Sequence, residues 1–368
     1  MRVLMTCGGT AGHVNPAIAI ANTIKEKEAD AEIAFVCSTV ANDIAPKLIS
    51  RAGYEKTYKV NICGMHAIWN PKNLKTLYLL AKSSGEAKKI IEEFRPDIII
   101  GTGGFACYPL LNAGAKMGIP TIVHESNAFA GKAVKRLATK VDAVMISFDA
   151  VRETISSSAN IIKVGNPTIK DAPANVVARD TNEGYDKCLL SFGGSRGAMM
   201  LNYGVVDMLE ALADKHSDTL FYHASGSLYI DEMTEMFKAR GLDKKPNVRL
   251  CEYIYDMDTR MQNATVVLAR SGAMTISEIA LNKKAAILVP SPNVANNHQF
   301  KNAKALYDKD AVLMVEEKDF SDGALTDAAD KLLGDAALRE KLSENIFGFA
   351  IADANTAIYD YIKGLLKK

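Results

Sequence analysis

Residues 1–12 and 186–197 repeat one pattern: a short apolar run, paired glycines, a hydroxyl residue and a further glycine. Met1-Arg2-Val3-Leu4-Met5-Thr6-Cys7-Gly8-Gly9-Thr10-Ala11-Gly12 matches, type for type, Asp186-Lys187-Cys188-Leu189-Leu190-Ser191-Phe192-Gly193-Gly194-Ser195-Arg196-Gly197. A strand that ends in such a loop and opens into a helix starts a doubly wound sheet, so the repeat predicts two similar α/β domains. The rest of the chain keeps that texture. Strand-like runs at 2–7, 32–37, 97–100, 120–124, 141–146, 187–192, 219–224, 248–251, 265–269, 285–290 and 311–315 alternate with helical patterns. Such alternation implies parallel sheets covered by helices on both faces. The length of 368 residues suits two domains.

The stretch 166–186 lacks this texture; it is polar and carries Pro167 and Pro173, as a linker would. We place the boundary there, with an N-terminal domain at 1–166 and a C-terminal domain at 167–349. Charge divides at the same point. Residues 1–165 hold 20 Lys/Arg and 14 Asp/Glu, a surplus of +6, whereas the remainder sums to −5. The whole chain is therefore nearly neutral, at +1, and has no overall field to draw it onto nucleic acid. No nucleic-acid partner is expected.

Six cysteines (7, 37, 63, 107, 188 and 251) form no C-x-x-C pair, and several end apolar runs where reduced thiols pack as small hydrophobes. A reducing cytosol is expected. Met1-Arg2 leads directly into a strand and a glycine loop, without the apolar core and cleavage site of a signal peptide. The charge-free stretch 98–115 reaches membrane-spanning length, yet its glycines, Pro109 and Asn112 break it into strand, loop and helix.

Three loops can hold phosphate. Gly8-Gly9-Thr10-Ala11-Gly12-His13 follows a strand, and Asn15-Pro16 offers an N-cap and first helical position. Gly101-Thr102-Gly103-Gly104 and Gly193-Gly194-Ser195-Arg196-Gly197 recur after later strands. Glycines let backbone approach a ligand closely, and the N–H groups at a helix start favour an anion. The spacing departs from G-x-G-x-x-G, and no G-x-x-x-x-G-K-[ST] is present, which disfavours a dinucleotide oxidoreductase or a P-loop NTPase. A sugar nucleotide or a lipid diphosphate remains. A fourth turn, Arg270-Ser271-Gly272-Ala273-Met274-Thr275, also follows a strand, with Glu278 further along the helix it opens. A carboxylate there can accept hydrogen bonds from two ribose hydroxyls while the loop N–H groups meet phosphate.

Together these motifs resemble the MurG family, UDP-N-acetylglucosamine transferases that convert undecaprenyl-diphosphate-linked muramyl pentapeptide (lipid I) to lipid II in peptidoglycan synthesis. The resemblance covers nearly the whole chain. It rests on residues 8–17, on Gly101-Thr102-Gly103-Gly104-Phe105 followed by Pro120 and His124-Glu125-Ser126-Asn127-Ala128, on Gly165-Asn166-Pro167, on 193–202, on Ile254-Tyr255-Asp256-Met257, on 270–279, and on His298-Gln299 with Asn302-Ala303. It implies two Rossmann-like doubly wound domains facing a cleft (the GT-B fold), with the acceptor on the N-terminal domain and UDP-GlcNAc on the C-terminal one. It further implies an inverting, metal-independent transfer with no cofactor, and a last helix, within 350–368, that crosses back to the first domain.

Residue by residue, the resemblance puts the Ile254 backbone on uracil, Glu278 on ribose, and Ser195 with the turn Ser271, Gly272, Ala273, Met274 and Thr275 on the diphosphate. Gln299 and His298 would read the GlcNAc hydroxyls. Thr10, Gly12, His13, Gly103 and Gly104 would meet the acceptor's lipid diphosphate, with His124 and Asn127 beside them. Three positions depart from the family pattern. Ser126 stands where Gln is usual, Ile169-Lys170 where an Arg usually follows Gly-Asn-Pro, and Phe105 where Tyr is frequent. A lysine supplies a point charge but no bidentate fork.

Transfer to a sugar hydroxyl needs a base for its proton and a stabiliser for the departing diphosphate. A histidine suits the first task near neutral pH, and His13 directly follows the first glycine loop. We therefore expect His13 to be the base, with Glu125 in reserve, either as base or as a carboxylate supporting its loop. Asp256/Asp258 and Asp308/Asp310 are formally D-x-D pairs, but no catalytic metal is expected. His66, His216 and His223 lack ligand spacing.

A lipid-linked acceptor requires contact with a bilayer surface. Residues 67–82 hold the only Trp, with Ile68, Trp69 and Leu79 interleaved with Lys72 and Lys75. We expect this segment, on the basic half of the chain, to meet anionic lipid peripherally at the cytoplasmic face of the membrane. Leu74, Leu77 and Leu80 share a helical face, so covering the domain core is the competing role. Two other functions stay open: a related UDP-sugar enzyme with another lipid acceptor or an epimerase activity, and a nucleotide-sugar binding subunit that needs a partner protein.

Overall fold

The computed structural model describes residues 1–8, 10–39, 45–62, 72–104, 106–168, 181–194, 196–294 and 297–367, without the side chains of residues 11 and 72–81. The chain divides into two units, one of Met1–Lys170 with Ile351–Lys368, the other of Asp171–Ala350.

The first unit alternates strand and helix: β1 (Arg2–Thr6), α1 (Ala11–Lys27), β2 (Glu32–Ser38), α2 (Ala45–Arg51), β3 (Thr57–Val60), α3 (Lys72–Phe94), β4 (Ile98–Gly101), α4 (Cys107–Lys116), β5 (Thr121–Glu125), α5 (Lys132–Leu137), β6 (Ala143–Ile146) and β7 (Ile161–Lys163). Its strands form one parallel sheet in the order β3-β2-β1-β4-β5-β6-β7. Side chains alternate across this sheet as strand geometry demands. Val3 and Met5 pack on one face with Ile18, Ile24 and Ile49 of α1 and α2, while Leu4 packs on the other with Ile91 of α3 and Leu110 of α4. Both faces are thus buried, which is why the central strands are apolar throughout.

The second unit continues with β8 (Lys187–Phe192), α6 (Met199–Leu212), β9 (Thr219–Ala224), α7 (Ile230–Ala239), β10 (Val248–Cys251), α8 (Met257–Asn263), β11 (Val266–Ala269), α9 (Ala273–Leu281), β12 (Ala285–Leu288), α10 (His298–Tyr307), β13 (Leu313–Met314), α11 (Ala324–Gly334) and α12 (Ala336–Phe347). Its sheet is parallel in the order β10-β9-β8-β11-β12-β13. The two sheets have the same internal logic, and two doubly wound units are what the repeated opening predicted.

Helix α13 (Ala354–Leu366) belongs to the first unit. Ile358 and Ile362 enter its core beside α1, and Glu28 at the end of α1 accepts from Tyr359 Oη at 2.9 Å and Lys363 Nζ at 2.5 Å. The lysine and the tyrosine hold the Glu28 carboxyl below its ordinary range.

Strand order reverses at β1/β4 in the first unit and at β8/β11 in the second. Doubly wound sheets bind ligands where the order reverses, at the carboxyl ends of the strands. Thr6 is in register with Gly101, and Phe192 with Ala269, so the loops that follow each pair emerge side by side. These are the four glycine-bearing turns found in the sequence. Two edge strands, β3 and β7, were not read there, because only Val60 among their residues is buried and no apolar run marks them.

Candidate active site

In the first unit the two glycine loops are tied together. Thr102 N–H donates to the Thr6 carbonyl at 3.1 Å, and the Thr102 hydroxyl donates to the His13 carbonyl at 2.6 Å. His13 Nδ1 lies 3.1 Å from the Thr102 carbonyl oxygen. Gly103 and Gly104 both have positive φ, at 101° and 87°. A Cβ on Gly103 would stand 2.5 Å from His13 Nδ1, and one on Gly104 would stand 2.5 Å from the Gly8 oxygen. Only glycine fits either place. A carbonyl oxygen can only accept, so Nδ1 donates to Thr102 and the neutral ring carries its lone pair on Nε2.

Helix α1 begins earlier than Asn15-Pro16 suggested. Thr10 is its N-cap, and His13 and Val14 N–H both donate to the Thr10 carbonyl, so His13 sits within the first turn. Pro16 lies inside the helix, where it cannot donate to the Gly12 carbonyl. Thr10 and Gly12 are exposed at this end, with no acidic residue in the first turn.

The block after β5 is organised from within. Glu125, 4 % exposed, accepts from Asn127 N–H and Asn127 Nδ2 at 3.0 Å each through one oxygen, and from Gly131 N–H at 2.8 Å through the other. Both carboxylate oxygens therefore hold the 125–131 loop, as the supporting role requires. His124 is completely buried, with Nε2 2.8 Å from the Gly165 carbonyl and Nδ1 3.4 Å from the Ser126 hydroxyl. Burial pushes its pKa down to about 4, so the ring is neutral, donates from Nε2 and accepts at Nδ1. The resemblance puts His124 against the acceptor; the structure instead spends its ring on joining β5 to the Gly165-Asn166 segment. Asn166 completes this join, accepting from Ser147 Oγ at 2.6 Å and donating to the Ser126 carbonyl at 3.2 Å. Ser126 thus has a use in this chain that the longer Gln would have to fill differently.

In the second unit, Gly272 caps α9 in extended geometry with no side-chain cap and no acid in the first turn. The N–H groups of Ala273, Met274 and Thr275 lie in that first turn, as a diphosphate requires, and Glu278 follows in the second. Ser271 lies deeper than the half-buried Met274 and Thr275. It is completely buried, its hydroxyl donates to the Gln299 carbonyl at 2.8 Å, and its carbonyl accepts from Asn302 Nδ2 at 3.2 Å. The Ser271 side chain thus has a structural part within the turn that the resemblance puts on the diphosphate: it locks α10 to that turn. Gln299 Oε1 accepts from Ser291 N–H at 2.9 Å, so the amide nitrogen is the donor that this side chain offers a ligand. His298 begins α10, half-buried.

Ile254 is only 3 % exposed, between Tyr253 and the 87 % exposed Tyr255, whose rings meet edge to face at 5.0 Å. A ligand reaching this point meets main chain and aromatic rings rather than the Ile254 side chain. Asp256 pairs with Arg260 at 3.0 Å, Asp308 with Lys304 at 2.8 Å and Asp310 with Lys341 at 3.1 Å. Among the described residues no three His, Cys, Asp or Glu side chains gather as a metal site would.

Ser195, Phe105, His66, Ile68, Trp69, Ile169 and Lys170 lie outside the described residues, as do the side chains of Lys72, Lys75 and Leu79. Sequence reasoning missed Thr102 as the partner of His13, Cys107 beneath it, and the Arg270–Glu317 ion pair that ties the end of β11 to the 317 turn. Thr102 had a visible signal, being the one side chain in a run of glycines. The Arg270–Glu317 pair had none, because its partners are 47 residues apart, and Cys107 read only as a small buried hydrophobe.

Residues 3–146 match the glycosyltransferase family 28 N-terminal domain and residues 188–357 its C-terminal domain. The N-acetylglucosaminyl transferase of Acetivibrio thermocellus, named for UDP-N-acetylglucosamine and N-acetylmuramyl-(pentapeptide) pyrophosphoryl-undecaprenol, is 36% identical over 100% of this chain and 99% of its own. The enzyme of the same name from Limosilactobacillus fermentum is 34% identical over 100% and 98%. The chain belongs to the MurG family.

Acinetobacter baumannii MurG has the same fold, with a TM-score of 0.79 at 23% identity over 99% of each chain. A Neisseria meningitidis UDP-GlcNAc 2-epimerase, solved with UDP-GlcNAc, gives 0.66 at 14% identity over 99% of this chain and 100% of its own. The MurG resemblance drawn from seven sequence blocks and the full-length relatives therefore agree on family. The epimerase shares fold alone.

Proposed function

We propose that this chain transfers GlcNAc from UDP-GlcNAc to the 4-hydroxyl of the muramyl sugar of lipid I, giving lipid II and UDP. The family membership carries this reading, since relatives matched along their full length are named for that donor and that acceptor.

In the step proposed here, the muramyl oxygen attacks C1 of GlcNAc from the face opposite UDP. The C1–O bond to the β-phosphate breaks, and the configuration at C1 inverts. His13 Nε2 takes the hydroxyl proton; the Nδ1 bond to Thr102 supports this role because it orients the ring and assigns the lone pair. The first turn of α9 stabilises the charge growing on UDP, and Glu278 receives the ribose hydroxyls. Gln299 donates to a GlcNAc oxygen through its amide nitrogen. The acceptor diphosphate is assigned to the start of α1 and the Gly103-Gly104 turn. None of these steps calls for a metal.

Contact with the acceptor's membrane is assigned to Ile68, Trp69, Lys72, Lys75 and Leu79 on their sequence alone. Among the described residues no helix is long and apolar enough to cross a membrane. Trp69→Ala with Leu79→Ser should weaken sedimentation with anionic liposomes while leaving the melt unchanged; equal sedimentation would remove the assignment.

The deciding assay is UDP release from UDP-GlcNAc with a short-chain lipid I analogue, with and without EDTA. Acceptor-dependent release that survives EDTA and falls in His13→Ala and Glu278→Ala supports the reading. Donor binding without release would point to another acceptor or to a partner-dependent subunit.

A further inference from the structure

We propose that Cys107 is a positioning residue for the His13 imidazole, acting through the Gly103 carbonyl. The proposal rests on reading His13 as the base, but its geometry can be tested separately.

Cys107 opens α4 and is completely buried. Its Sγ lies 2.8 Å from the Gly103 carbonyl oxygen and 3.2 Å from that of Thr6. Burial pushes the thiol up to about 12, so it remains protonated, and a donor, throughout the neutral range. Neither oxygen is incidental. Thr6 ends β1, and its carbonyl also accepts the Thr102 N–H that joins the two glycine loops. Gly103 is the residue whose backbone rests against the His13 ring, close enough that any Cβ would overlap Nδ1.

The thiol therefore fixes the carbonyl of the residue that packs against the imidazole. Gly103 cannot hold itself there. With φ at 101° and no side chain, its peptide is free to rotate unless its carbonyl is fixed. The Thr102 carbonyl, the acceptor that orients the ring, belongs to the preceding peptide and is joined to this one at the Gly103 Cα, so holding the Gly103 carbonyl limits how far that acceptor can turn. The side chain of Cys107 is completely buried, so it acts through main chain.

The same thiol has no other assignment. It is too buried and too fully protonated to be a nucleophile or a redox centre.

Cys107→Ser keeps a donor, and Cys107→Val keeps buried volume without one. We expect kcat of the Val variant to fall about tenfold, since small displacements of a reacting group are costly. KM for UDP-GlcNAc should stay unchanged, and the Ser variant should return to within about threefold of the parent because a hydroxyl still donates. Nitrogen NMR of labelled histidine supplies the readout that a purely structural role would not move. In the parent and in the Ser variant His13 should show the proton on Nδ1, whereas the Val variant should show a mixture of tautomers.

A Val variant with parental kcat and an unchanged His13 tautomer would overturn the proposal, as would a melt lowered equally in Ser and Val with kcat following stability alone. If His13→Ala retained full activity, the base reading itself would fall. The tautomer comparison would then still report whether Cys107 positions the ring.

Discussion

Thr102 and His13 hold each other through two opposed hydrogen bonds, hydroxyl to His13 carbonyl at 2.6 Å and His13 Nδ1 to Thr102 carbonyl at 3.1 Å. Backbone and ring of the histidine are thereby positioned by one residue on a different loop. Replacing Gly103 with Ala would drive a methyl group into this pair at a positive φ. We expect Gly103→Ala to lower kcat on the order of a hundredfold, the cost of displacing a reacting group by about 1 Å. Steady-state kinetics should show KM for UDP-GlcNAc unchanged. Parental kcat in a folded Gly103→Ala variant would count against a fixed imidazole.

Glu125 spends both oxygens on the N–H groups of Asn127 and Gly131, so Glu125→Gln must leave one of them facing an amide nitrogen. An unsatisfied buried donor costs about 1–3 kcal/mol. Chemical denaturation should show that loss, and KM for the lipid I analogue should rise because the 125–131 loop loosens. The pH dependence of kcat should keep its shape. A stable variant with a flattened pH profile would instead make Glu125 the base.

Two buried histidines make stability depend on pH, one in each unit. His124 and His223 are both completely buried, and burial depresses each to about 4 from the ordinary 6.5. His223 has its Nδ1 2.9 Å from the Ser191 hydroxyl and, among the described residues, no partner at Nε2. An unfolded chain binds protons at pH values where these rings cannot. Their contribution is therefore complete above about pH 6.5 and shrinks as the pH falls toward 4, by roughly 3 kcal/mol for each at most. Melting temperature should drop between pH 7 and pH 5, and His223→Leu should flatten the part of that drop that belongs to the second unit. An equally steep drop in His223→Leu would assign it elsewhere.

Gln299 separates two roles within one side chain. In Gln299→Glu a carboxylate can still accept from Ser291 N–H, but the amide donor is gone. Stability should hold while KM for UDP-GlcNAc rises about tenfold, the size expected for one hydrogen bond to a sugar hydroxyl lost in a site built to make it. Isothermal titration with UDP-GlcNAc and with UDP should show the loss for the first ligand only. Equal loss for both would place Gln299 on the nucleotide instead.

The fold was legible because its causes are local. Apolar strands, glycine turns and helix starts alternate along the chain, and the repeat of residues 1–12 at 186–197 shows that this happens twice. Edge strands β3 and β7 escaped notice for an equally local reason: they are half solvated, so their sequence need not be apolar. The helix that begins at Ala11 rather than Asn15 shows a competing pull. Two N–H groups reaching the Thr10 carbonyl start it before its proline.

The site divides along the same line. Sequence by itself determined which loops could bind anions, and that His13 stands beside one of them. Only the folded structure decided which partners these residues take for their hydrogen bonds. It turned His124 inward to Gly165, gave both oxygens of Glu125 to its own loop, and turned the Ser271 hydroxyl to α10. A polar residue in a motif can face ligand or fold, and the sequence is the same either way. What distinguishes them is which buried partner would otherwise go unsatisfied, and for His124 and His13 that partner is brought into reach only when residues 41 or 89 apart in the chain come together.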